Sequence, residues 1–210
     1  MVEALQRCKW AEGDPLMEAY HDEEWGVPMH DPRDLWEMLL LEGFQAGLSW
    51  RTILHRREGF RRAFAGFDPH RVAAFGPEDV ERLMLDESII RARAKIEATI
   101  SNARAYLAIQ EAGQETGEDF AAWIWNVVDG KPQLGDGQTV LASTPASLAL
   151  SKALKAKGFK FVGAVTVHAF MQAAGLVNDH ALTCPCRAAP GKGMARGMGP
   201  DAACPDSASA

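Results

Sequence analysis

Glu42 occupies a position where the pattern calls for an apolar residue. It follows Leu35 by seven residues, Met38 by four and Leu39 by three, which puts all four on one face of a helix. The other three are core residues, so the carboxylate faces inward with them. Glutamate is almost never buried without a partner. Either a cation, an N–H group or a ligand meets it, or the side chain escapes at the helix end or makes a capping bond. The pattern leaves both open. The next residues, GFQAGLSW, bring two glycines that let backbones approach closely, then Trp50. A carboxylate beside an indole wall suits a flat heterocycle that carries N–H groups or positive charge.

The run YHDEEWGVP, residues 20–28, follows neither a helical nor a strand period, yet its first six residues hold two aromatics, an imidazole and three carboxylates. It suits a metal, a flat ligand or an exposed surface. Cys8 and His21 have twelve residues between them, and His180 and Cys184 have three. One such pair at each end of the chain could make a closed four-ligand zinc site, two thiolates neutralising the ion and the site stapling the termini together. His-x3-Cys is a common half-site, but Cys-x12-His is weak. Spacing alone favours unrelated thiols and a surface histidine, and Cys186 rivals Cys184 as a ligand. All four cysteines lie near the ends, so free thiols or ligands are expected rather than a disulfide framework.

A third stretch, KGFKFVGAV at 157–165, ends one helix on a glycine and, after four intervening residues, opens the next on another. Exposed N–H groups at the start of that second helix favour a phosphate. The net charge of −6 argues against nucleic acid, but the distribution reverses this: residues 1–37 hold ten acids and three bases. From Gly137 to Asn178 there is no acid, while Lys152, Lys155, Lys157 and Lys160 lie within. A phosphate backbone needs a local positive face, not a positive total. An ordinary helix–helix turn would show the same glycines. Its place inside the acid-free window points to DNA-backbone binding. Two further basic stretches, RTILHRREGFRR at 51–62 and RARAK at 91–95, are alternatives.

The elements that must position these residues are helices. Asp31-Pro32 caps and opens the helix carrying Glu42, whose apolar face ends near Gly43. A second helix is expected from about Gln45 to Arg57, and a short one from Pro77. Ile96, Ile100, Ala103 and Leu107 mark a long helix closed by Gly113. Residues 118–128 read as helix or strand. Thr144-Pro145 caps a helix to Lys157, and another runs from Ala164 to Ala174. Nothing alternates long enough for a sheet, so the fold class is all-α. At 210 residues and 47% hydrophobic, the chain can bury one sizeable core or two small lobes sharing one. Its opening residues lack a signal peptide's apolar core and no run spans a membrane, so a soluble intracellular protein is expected. Beyond Arg187 the composition predicts disorder. His30, His55, His70 and His168 have no evident partners, and Trp10, Trp36, Trp123 and Trp125 read as core.

RCKW (7–10), DPLMEAYHDEEWGVP (14–28), LEGFQAGLSW (41–50), IIRARAKIEATISNARAYL (89–107), LSKALKAKGFKFVG (150–163) and GLVNDH (175–180) together resemble the constitutive bacterial 3-methyladenine DNA glycosylases of type I. The likeness runs from about residue 7 to 186. It implies the all-helical helix–hairpin–helix glycosylase fold, with residues 1–187 as one domain of two lobes around a base pocket, and 188–210 as tail. It implies Cys8, His21, His180 and Cys184 as ligands of one structural zinc, joining the N- and C-terminal segments. Glu42 matches the carboxylate that recognises methylated adenine. Tyr20 and Trp50 match pocket walls, with Trp25 at the border, and Gly158, Lys160 and Gly163 fall in the DNA-binding hairpin. The implied partner is duplex DNA containing alkylated adenine, and the implied protein is a cytoplasmic monomer.

Three positions depart from the family pattern. Phe44 stands where relatives often have glutamine, Met17 replaces an aromatic seen in some relatives, and CPC at 184–186 differs from the usual cysteine cluster. The first two bear on base selectivity. Asp179, beside Asn178 and His180, is expected to support the zinc ligands rather than act as a base. No lysine nucleophile is evident, which implies a monofunctional enzyme. A zinc-stapled DNA-binding module without catalysis would instead bind undamaged DNA as tightly as lesions. A small-molecule enzyme using Glu42 as base would leave the hairpin without purpose.

Overall fold

The computed structural model describes residues 6–191. The expected disorder from residue 188 falls mostly on 192–210, outside the described residues. Ten α-helices are described: α1 (Pro15–Glu23), α2 (Pro32–Gln45), α3 (Trp50–Leu54), α4 (Arg57–Ala63), α5 (Pro69–Ala73), α6 (Pro77–Leu85), α7 (Arg93–Thr116), α8 (Phe120–Trp125), α9 (Pro145–Ala156) and α10 (Ala164–Ala173). Proline opens α1, α2, α5, α6 and α9, where its missing N–H costs nothing. Asp14, Asp31, Asp68 and Thr144 cap four of these by accepting backbone N–H groups.

The fold is mostly helical. Among the described residues the one pairing of strands is two residues long: β1 (Gln133–Leu134) runs parallel to β2 (Val177–Asn178). Such a bridge is too short to leave an alternating pattern in sequence.

Helix α2 is the centre. Leu35, Trp36, every residue from Met38 to Phe44, Glu42 among them, are buried, as in a helix enclosed on all sides. It packs against α3, α7 and α10. Lys95 donates to the carbonyls of Phe44 and Ala46, both at 2.7 Å, and so closes the C-terminus of α2.

Two expected boundaries move. The helix from Gln45 to Arg57 is absent: α2 absorbs Gln45, a turn follows, and Ser49 caps a separate α3. Helix α7 continues past Gly113 to Thr116, and Gly117, at φ 76°, ends it. Gly113 is small for another reason. A Cβ there would lie 2.0 Å from the carbonyl oxygen of Glu118, where the chain turns back over the helix. No helix among the described residues is long and apolar enough to cross a membrane.

Candidate functional site

Tyr20 on α1, Trp25 just beyond it, Glu42 on α2 and Trp50 at the start of α3 line one cavity of about 540 Å³. That volume is in the range of small-molecule and base pockets. Tyr20 and Trp50 stand 5.2 Å apart between ring centroids, tilted by 41°. The turn after α2 brings Trp50 back toward Tyr20, so the broken helix is what shapes the wall.

Glu42 is 4% exposed, and its Oε2 has no hydrogen-bond partner. Desolvation raises its pKa from 4.5 to about 8. The Trp50 indole N–H is also buried without a partner. An orphaned acceptor and an orphaned donor thus share one cavity, an arrangement costly in an empty protein. Burial also raises the Tyr20 hydroxyl well above its usual pKa, with the Glu42 carboxylate adding to it.

Other lining residues revise the sequence reading. Trp10 is 42% exposed at the rim, edge-on to Trp25 at 4.9 Å, rather than in the core. Met17 lines the cavity. Phe44 does not: it points into the core against Phe60, 4.6 Å away, and Phe64. Asp179 lines the cavity too and does not touch the cysteine–histidine cluster in the way expected. Its Oδ2 accepts the Gln172 amide at 2.7 Å. His168 is buried with neither ring nitrogen hydrogen-bonded, while His55 pairs with Asp14 at 2.8 Å.

Cys8, His21, His180 and Cys184 come together, all buried, with ligand atoms within 4.8 Å of one another. Cys184 Sγ lies 3.5 Å from His21 Nε2 and 3.5 Å from His180 Nδ1, and Cys8 Sγ lies 3.7 Å from His180 Nδ1. Tetrahedral zinc with bonds of about 2.3 Å to sulfur and about 2.0 Å to nitrogen separates those atoms by about 3.5 Å. The outer nitrogens are engaged. His21 Nδ1 is 2.7 Å from Asp22 Oδ1, itself gripped by Arg7, and His180 Nε2 is 3.2 Å from the carbonyl of Trp25. Each ring is thereby left with its inner nitrogen free to bind. Donors from Cys186, Cys8 and both histidines hold the Cys184 thiol well below its usual pKa. The four residues could hold a metal ion. Cys186 sits outside this set, near His21 and Asp22. Asp22, not Asp179, is the carboxylate in contact with this cluster, through His21.

Gly158, Lys160 and Gly163 lie in the turn between α9 and α10, away from the cavity. The chain takes left-handed angles at Gly158 (φ 92°) and at Phe161 (φ 57°). Asn102 on α7 holds the turn, accepting from Lys160 N at 2.8 Å and donating to Lys160 O at 3.0 Å. Sequence reading missed Asn102; its trace was a buried amide inside an amphipathic helix. Gly163 has ordinary extended angles, and a Cβ there would meet nothing within 4 Å. Its lack of a side chain leaves the start of α10 uncapped. Lys152, Lys155, Lys157 and Lys160 are exposed and in no ion pair among the described residues. By contrast Arg51, Arg57 and Arg61 of the rival basic stretch are paired with Asp14, Glu24 and Glu37.

The methyladenine glycosylase family model matches residues 10–188. The chain is 53% identical to the DNA-3-methyladenine glycosylase 1 of Escherichia coli (strain K12), over 87% of this chain and 97% of that protein. A crystal structure of a 3-methyladenine DNA glycosylase I superposes with a TM-score of 0.82 at 55% identity, covering 86% of this chain and 99% of the other. A Staphylococcus aureus 3-methyladenine DNA glycosylase I, solved to explain 3-methyladenine recognition, superposes with a TM-score of 0.81 at 38% identity, covering 88% and 98%.

Proposed function

Because this chain belongs to the methyladenine glycosylase family, we propose that it is a base-excision repair enzyme hydrolysing the N-glycosidic bond of 3-methyladenine in alkylated duplex DNA. The observation that carries this is Glu42: a carboxyl enclosed by aromatic rings in a base-sized cavity, with one oxygen unmatched by any donor. An N3-methylated adenine still bonded to its sugar is cationic. It supplies the N–H and the charge that Glu42 lacks, and Tyr20 and Trp50 offer electron-rich faces to it. Unmodified adenine brings no charge to offset the desolvated carboxylate, so it is rejected.

The base reaches this cavity by leaving the helix stack. The glycosidic bond is already weakened by the charge on the base, so the pocket need not protonate its leaving group. Tyr20, Trp25 and Trp50 bound the plane of the ring. Stacking of this kind contributes on the order of 1–3 kcal/mol per base. No lysine lies among the cavity residues, which supports hydrolysis without a lyase step.

The α9–α10 turn serves as a helix–hairpin–helix contact with the DNA backbone, Gly163 leaving the first N–H groups of α10 to a phosphate and Lys160 adding charge. The cysteine–histidine cluster holds one structural zinc, closed to substrate because all four positions are protein ligands. The unit is a single domain acting as a monomer on DNA in the cytoplasm. Incubating the protein with methylated duplex DNA and separating the released bases by chromatography tests the reading. Release of 3-methyladenine by the parent and not by Glu42→Gln is expected. Equal binding to lesion and undamaged duplex, with no base released, would favour the binding module.

A further inference from the structure

The basic stretch 91–95 does not form a free cationic face. Arg91 and Arg93 pair with Glu87 and Glu81 at 3.5 and 2.9 Å. Lys95, on the first turn of α7, turns its ammonium to the end of α2 instead, where Nζ donates to the carbonyls of Phe44 and Ala46. Carbonyls at a helix end have no intrahelical partner, and a cation there also meets the negative end of the helix dipole. Ala46 begins the link that delivers Trp50 to the cavity, by way of Gly47 at φ 82°.

The same ammonium lies over the ring of Phe161, 6.0 Å from its centroid. Phe161 belongs to the α9–α10 turn and holds a left-handed angle that a bulky side chain adopts only where its surroundings impose it. Asn102, further along α7, clamps the backbone of Lys160 through both its N–H and its carbonyl. Ser151 donates to the carbonyl of Val162 at 2.6 Å. On the α2 side the contact is close: a Cβ added at Gly43 would already touch the Cβ of Phe161, at 3.6 Å. The gap bounded by Gly43, Lys95, Asn102 and Phe161 is about 10 Å³, no more than one water needs. Gly43 follows Glu42 in the chain, so neighbouring faces of α2 meet the turn and the cavity.

A lesion held for excision touches two places at once, a phosphate at the turn and the base at Glu42, and the sugar–phosphate chain between them has a fixed reach. Undamaged duplex needs only the turn, and free base needs only the cavity. We propose, resting on the reading of the cavity as base pocket and of the turn as DNA contact, that Lys95 is a positioning residue that sets the separation of those two contacts, with Phe161 as its counterpart on the turn. Lys95 does not line the cavity. It acts by tying the end of α2, and the start of the link to Trp50, to the element that holds the DNA. Once the turn is engaged, the base then meets its pocket as an intramolecular event at the right distance. A misplacement of about 1 Å in such an arrangement costs up to about a hundredfold in rate.

The test makes three measurements on the full chain: affinity for free 3-methyladenine, affinity for undamaged duplex at matched salt, and single-turnover release of 3-methyladenine from saturating methylated duplex. Lys95→Met keeps the length of the side chain and loses its charge and donors. It should slow release by about tenfold to about a hundredfold with both affinities unchanged. Lys95→Arg, which keeps the charge and several donors, should recover most of the rate. Phe161→Gly removes the ring at an angle glycine takes freely and leaves the cap on α2 in place. It should slow release in the same sense, and the double variant should be no slower than Lys95→Met, since both act on one contact. Phe161→Gly releasing base at the parental rate shows that Lys95 only caps α2 and overturns the inference. So does a slowing that merely follows lost free-base affinity, which makes Lys95 a prop of the pocket alone, or lost duplex affinity, which makes these residues DNA contacts. If Lys95→Met fails to fold, Phe161→Gly decides. A parent that releases no base removes the glycosylase reading, and Gly163→Asp binding duplex like the parent removes the DNA contact at the turn; the inference falls with either.

Discussion

Glu42→Gln should make the empty protein more stable and the enzyme inactive, and the gain in stability should depend on pH. Raising the carboxyl from 4.5 to about 8 makes ionising it about 5 kcal/mol harder in the fold than in the open chain. The sign follows from proton counting. Between pH 4.5 and about 8 the folded state keeps a proton that the unfolded chain has released, so unfolding sheds a proton and rising pH favours it. The penalty is under about 1 kcal/mol at pH 5 and levels off at about 5 kcal/mol above pH 8. Glutamine keeps the shape and cannot ionise. Its amide is left as unpartnered as Oε2 was, a cost of about 1–3 kcal/mol that is the same at every pH. The informative quantity is therefore the parent-to-variant difference in unfolding free energy, read from urea titrations, at pH 9 less that at pH 5. About 4 kcal/mol in favour of the variant is expected. Excision in single turnover should fall at least about a hundredfold. A difference that does not change with pH would show that Glu42 is not held protonated by burial. Unchanged excision would remove it from the pocket chemistry.

Metal analysis should find one zinc per chain in the parent. Cys8→Ser or His180→Ala should lower the unfolding temperature more than it lowers the activity of the folded remainder, and Cys186→Ser should keep its zinc; loss there would exchange Cys186 for Cys184. Gly163→Asp should weaken duplex binding at matched salt, with a smaller loss for Lys160→Ala and no change in free 3-methyladenine affinity for either. Tight binding by a folded Gly163→Asp variant would move the DNA contact elsewhere. Phe44→Gln, putting an amide between Phe60 and Phe64, should cost about 3 kcal/mol of stability and leave the ratio of 3-methyladenine to other released bases unchanged. A shift in that ratio would show that the aromatic cluster reaches the pocket.

What could be seen in the sequence was whatever a local period or a rare residue carried. Glu42 was visible because a carboxylate interrupts an apolar stripe, and the proline-opened helices because capping is a matter of adjacent residues. Cys8 and His180, far apart in sequence, were a site that spacing allowed but ranked below unrelated thiols, and likeness to a family favoured it, since spacing does not encode how two ends of a chain meet. Gly113 looked like a helix stop, but the approach of Glu118 that requires it is tertiary. Gln172 and Asp179 form no motif; α10 and the two-residue β bridge that precedes Asp179 bring them to one wall of the cavity. Phe44 looked like a selectivity residue because it neighbours Glu42 but one, although that offset on a helix turns it to the opposite side.

The staple between residues 8–21 and 180–184 also bears on synthesis. His180 is 172 positions after Cys8, and its ring is held by the carbonyl of Trp25. When the first half of the chain leaves the ribosome, Tyr20, Trp25, Glu42 and Trp50 are all present, but their outer support is not. Only after residue 184 has emerged can the ring close and fix the α1 wall. A nascent chain therefore carries these four cavity residues well before it can hold them in place. Pocket assembly is thus expected to be post-translational, and chains released before residue 180 should be recognised by proteases rather than by damaged DNA.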